Sequence, residues 1–176
     1  AVSVNPSSQF LCGGGSQLLT ANAVSLSSFV ITGTSPTTSV SAPQPFYRTF
    51  EGFRMQYIIR ASELTAAGVI AGNITSLSFN VSALSTTYAQ WNHEGYTIRV
   101  GATNSTDLSA GWETVSNVVF GPVSYTPTAG TNNFPFNNSF NWNGISNIVV
   151  DVAFDNDPNN TCSTSTPICW GNNATC

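Results

Sequence analysis

Ionisable side chains are scarce in this chain, and they are unevenly placed. Its full complement is four arginines and eight carboxylates, with no lysine. Five of these twelve fall in "YRTFEGFRMQYIIRASEL", Tyr47 to Leu64: Arg48, Glu51, Arg54, Arg60 and Glu63. Such clusters concentrate at functional sites, so catalysis is the first chemistry to weigh. Glycoside hydrolysis needs two carboxyl groups facing one cleft. Glu51 and Glu63 flank arginines, which keep carboxylates ionised and make them poor acids. Asp107 and Glu113 lie in loop-like stretches. Nucleophilic catalysis would have to recruit His93, the one histidine, in "WNHEGY". No G-x-S-x-G elbow accompanies it, and a histidine in a polar turn reads as a surface residue. The expectation is a protein without catalytic residues. Arg54, Arg60 and Glu63 read instead as a structural charge brace. On a strand, Arg54 and Arg60 share a face with Gln56 and Ile58, opposite Met55, Tyr57 and Ile59. Glu63 opens a short helix, suits its dipole, and could reach an arginine.

Other residue types suggest ligands. In "DNDPNN", Asp155, Asp157 and Asn159 stand at alternate positions, like the opening of an EF-hand loop. The glycine and glutamate that complete such a loop are replaced by Asn160 and Thr166, so a structural Ca²⁺ in a sandwich loop is the metal reading to carry. The competing reading is an Asx-rich turn. Aromatic rings in polar settings suit sugars, with Trp91, Trp112, Trp170 and Tyr88 as candidate platforms. Trp142 reads as a packing residue. Glycans could also be attached. N-x-S/T sequons begin at Asn73, Asn80, Asn104, Asn137, Asn159 and Asn173.

The elements that must hold these residues are strands. "FRMQYIIR" alternates, as do "ITSLSFNV" with Leu77, Phe79 and Val81, and "YTIRV" with Tyr96, Ile98 and Val100. "NIVVDVAF" puts Ile148, Val150, Val152 and Phe154 together, with Asp151 opposite. "NAVSLSSFVIT" and "TVSNVVFGPVSY" are further candidates. Short alternating runs between Gly, Pro, Asn and Ser clusters predict an all-β, jelly-roll-like antiparallel sandwich of about eight to ten strands. "ASELTAAG" interrupts them as one short helix, with Ser62 placed as N-cap and Gly68 as its C-terminal glycine. Residues 33–45 are a Pro/Ser/Thr-rich linker between an N-terminal strand segment, 1–32, and a sandwich domain over 46–176 with a cysteine-bearing tail.

Composition narrows the partners. Charged residues make up 7% of the chain, against about 25% in ordinary soluble domains. A net charge of −4 leaves no basic face for nucleic acid or anionic lipid. No run reaches the length of a spanning helix. Cys12, Cys162, Cys169 and Cys176 lack C-x-x-C spacing. Their even number suits two disulfides in an oxidising, extracellular setting, where Cys162–Cys169 and Cys12–Cys176 is the preferred of three pairings. A separate β-rich segment on a linker, under an almost uncharged surface, points to copies of the same chain as partners, by strand exchange or edge pairing. Glycans are the alternative partner, for a carbohydrate-binding module.

Three blocks in order carry a family resemblance: R-x-Q-Y at 54–57 with A-S-E-L-x-A-A-G at 61–68, then "YTIRVGAT", then W-x-G-x-S-N at 142–147. Over roughly 43–156 the chain resembles a β-sandwich module of secreted and cell-surface proteins of Bacteroidota, associated with type IX secretion. The resemblance implies an extracellular, non-catalytic accessory or adhesion-type module. Residues 1–42 and the tail lie outside it.

Overall fold

The computed structural model describes residues 2–5, 20–23, 44–46, 52–84 and 92–156. The chain divides into two compact units, Ala1–Val30 and Ile31–Cys176. In the first, β1 (Val2–Asn5) pairs antiparallel with β2 (Thr20–Ala23).

The second unit is an antiparallel β-sandwich. Its elements are β3 (Gly52–Ile59), α1 (Ala61–Ala66), β4 (Gly72–Val81), β5 (His93–Thr103), β6 (Val118–Tyr125), β7 (Gly130–Trp142) and β8 (Asn147–Asp155). Four strands form one sheet in the order β3-β8-β5-β6, and β4 pairs with β7 in the other. The expected alternation sets the interior. Phe53 and Met55, Tyr96, Ile98 and Val100, and Ile148, Val150, Val152 and Phe154 are buried on the inner face of the larger sheet. They meet Phe134, Phe140 and Trp142 of β7, with Leu77 and Phe79 of β4 packed alongside. Tyr96 stacks on Phe134 at 5.4 Å, and Phe120 meets the same ring edge-on at 5.0 Å. Tyr96 is fully buried, and that burial, reinforced by Tyr57 and Tyr125, pushes its hydroxyl well above the ordinary tyrosine range. The described residues of this unit hold six strands, two fewer than the eight of a jelly roll. The sandwich is therefore the architecture established.

Three local expectations change. Ser62 is not the helix cap. Arg60 is, in extended conformation, and the Asn147 side-chain oxygen accepts the Ala61 N–H at 2.8 Å. A residue distant in sequence thus does the work assigned to a local hydroxyl. The other end follows expectation. Gly68, at φ 89°, closes the helix with its N–H on the Thr65 carbonyl, while the Val69 N–H reaches Leu64. His93 is not at the surface. It opens β5 fully buried, edge-on to Phe154 at 4.3 Å and near Phe46. Finally, β7 is a thirteen-residue strand that the patterns above leave out. Pro135 and a dense run of asparagines disguise it. Proline is tolerated here beside the bulge where β7 slips against β4, between Ile74 and Ser76.

Candidate functional site

The charges converge on Asp151, in the middle of β8. Its strand is the apolar run "NIVVDVAF", and Asp151 points away from the interior, yet it is wholly buried. Strand register explains its neighbours. Gln56 of β3 and Arg99 of β5 both stand directly opposite it, so Gln56–Asp151–Arg99 is one row across three strands. Arg54 reaches it from two residues along β3. One carboxylate oxygen accepts Arg54 Nε at 2.9 Å, Arg54 Nη2 at 2.6 Å and Gln56 Nε2 at 2.7 Å. The other accepts Arg99 Nη1 at 3.3 Å. Charge-assisted bonds of this kind are about twice as strong as neutral ones.

The burial comes from the segment between β5 and β6, residues 104–117, which crosses the outer face of the sheet. Gln56 holds it as a strand would. Its Nε2 donates to the Glu113 carbonyl at 2.8 Å, and its Oε1 accepts the Glu113 N–H at 2.9 Å. Trp112 lies against the Arg54 guanidinium, 5.0 Å from ring centre to Cζ. Val115 packs over Gly101. A Cβ on Gly101 would come within 3.3 Å of the Val115 side chain, so glycine makes this close cover fit. The near end is tied by Asn147, which donates to the Ser105 carbonyl at 2.9 Å, and by Arg60, whose Nε and Nη2 both donate to the Thr106 carbonyl at 3.3 Å. The far end returns to β5 through the Val100 N–H on the Asn117 carbonyl. Between them Asp107 turns the chain. Bonds from the Ser109 hydroxyl and N–H hold its carboxyl below the usual range.

Arg54, Gln56 and Arg60 of the Tyr47–Leu64 stretch and Asn147, far along the chain, thus act on one segment. Arg54 pairs with Asp151, and Glu63 accepts the backbone N–H of Arg60 at 2.8 Å rather than a guanidinium. Asp151, Arg99 and the crossing segment were not part of the brace expected from sequence. The available signal was one carboxylate amid the six apolar residues of Ile148–Phe154. As chemistry, the site is an ion network around one buried carboxylate. Asp151 is wholly buried and its carboxylate accepts from two arginines and a glutamine.

The remaining candidates scatter. Trp112 is exposed at 38%, whereas Trp142 is buried and donates its indole N–H to the Ser146 carbonyl at 2.7 Å. Trp91, Trp170, Tyr88, Asp157, Asn159, Asn173 and the four cysteines, with both disulfide pairings, lie outside the described residues. Asp155 ends β8. The adjacent Asn156 ties down the start of β5, its side chain accepting the Glu94 N–H and donating to the Asn92 carbonyl, each at 2.8 Å. No group of three or more His, Cys, Asp or Glu suited to a metal occurs among the described residues. Asn73 and Asn80 are exposed on β4, Asn137 at the bulge of β7, and Asn104 just after β5. No protein-family model, curated protein or solved structure matches the chain.

Proposed function

We propose that this chain is a non-enzymatic extracellular structural or adhesion subunit that assembles with copies of itself through a sheet edge. The observation behind this reading is β4. This ten-residue strand has β7 as its one partner among the described residues. Its sequence, "GNITSLSFNV", holds neither charge nor proline. Soluble proteins usually guard an edge with lysine, proline or a cover, because its free N–H and C=O groups invite another strand. A low-charge surface supports the same reading, since few ions must lose water when copies meet. The resemblance to secreted Bacteroidota modules supports an extracellular setting and a role without catalysis. No helix of the described residues is long and apolar enough to cross a membrane.

The test is sedimentation velocity with electron microscopy on the whole chain and on a Ser76→Lys/Ser78→Lys double variant. Both serines are exposed on β4, so the sandwich should tolerate them. The wild type is expected to form oligomers or filaments that the variant abolishes. A wild type that stays monomeric at high concentration ends the proposal.

A further inference from the structure

The outer face of the larger sheet carries a second feature. Two guanidinium groups share one carboxylate there, leaving a local positive charge on a chain whose net charge is −4. Neither arginine is sealed in. The Arg54 side chain is 40% exposed and that of Arg99 is 29% exposed. Asp151 engages Nε and Nη2 of Arg54 but only Nη1 of Arg99, so Arg54 Nη1 and Arg99 Nε and Nη2 have no hydrogen-bond partner among the described residues. Beside Arg54 stands Trp112, its ring against the guanidinium and part of its surface in water.

We propose that Trp112, Arg54 and Arg99 form a binding site for an anionic saccharide, with a sugar ring on the indole and its carboxylate or sulfate on the free guanidinium N–H groups. Forked N–H pairs suit the oxygens of such groups. An exposed aromatic plane suits the apolar face of a pyranose. The geometry is held before any ligand arrives, because strand register and the Gln56–Glu113 bonds fix both elements. Two guanidinium forks suit one acidic group per sugar, whereas a nucleic acid needs a row of cations. The nearby Glu113 carboxylate is turned to the Ser105 hydroxyl, which bonds it. An acidic peptide would meet the arginines but would make little use of the indole plane. The site is independent of edge-to-edge assembly and stands whether or not copies associate.

The experiment is calorimetry and tryptophan fluorescence of the intact chain with tetragalacturonate, a sulfated maltotetraose, neutral maltotetraose and tetraglutamate. Binding of one or both acidic sugars, weakened by added salt, is expected, and their relative affinity separates carboxylate from sulfate. Trp112→Ala and Arg99→Met should each weaken binding at least tenfold. Arg99→Met leaves Asp151 its bonds from Arg54 and Gln56, so its melting curve should stay close to wild type. The indole N–H resonance of Trp112, assigned by Trp112→Phe, should shift on titration even if a variant folds poorly. Absence of binding, equal binding of the neutral sugar, tighter binding of tetraglutamate, or an unmoved Trp112 resonance would each overturn the site.

Discussion

The two sheets of the sandwich share one interior but present different outer faces. The four-stranded sheet carries Asp151, Arg54, Arg99 and Gln56 outward and is then roofed by residues 104–117. The two-stranded sheet carries Asn73, Ser76, Ser78, Asn80, Asn133 and Asn141 outward, with no charge in either strand, and stays exposed. Its polar groups pair laterally, Asn141 with Asn73 at 2.8 Å and Ser78 with Asn133 at 2.9 Å. On the first face polar side chains fasten a second layer. On the second they only wet a surface. Charge is therefore concentrated where burial makes it strong and where its loss cannot be made good by water.

That contrast can be broken experimentally. Asp151→Ala should have the largest effect, because it removes the common acceptor of two arginines and a buried amide. A loss of about 2–3 kcal/mol is expected, seen as a fall of roughly 5–10 °C in melting temperature. Gln56→Ala comes next, at about 1–2 kcal/mol for its lost bonds. Its specific mark is faster hydrogen exchange over 104–117 with the interior strands still protected, and unchanged exchange in that segment would contradict the roof described above. Arg54→Met keeps the packing against Trp112 but loses the ion pair. Because that side chain is partly exposed, about 1 kcal/mol is expected by denaturant titration. Asn141→Ala on the other sheet should change stability by under about 0.5 kcal/mol. A cost there equal to that of Gln56→Ala would erase the distinction between the faces.

Much of this frame was legible in the sequence, and the reasons are local. Period-two alternation marked β3, β4, β5 and β8, since a sandwich strand must put every second side chain inside. "ASEL" and Gly68 marked the helix, because glycine accepts the left-handed turn that ends it. Where local cues conflicted, reading failed. Pro135 and its asparagines hid β7, although Phe134, Phe140 and Trp142 are buried there at even spacing. His93 looked exposed because its neighbours are polar, while its position opposite Tyr125 on β6 draws it inward.

What the sequence by itself determined is an antiparallel β-sandwich with very little charge, one short helix and a cluster of arginines and carboxylates near β3. Those properties follow from residue type and spacing within a few neighbours. The partner of each charge is a different matter. Arg54 and Asp151 are 97 residues apart, and Gln56 and Glu113 are 57 apart. They meet because β3, β8 and β5 lie side by side in register and the chain between β5 and β6 folds back over them. Only the tertiary structure decided this, since strand pairing brings together residues whose sequence separation carries no signal of contact.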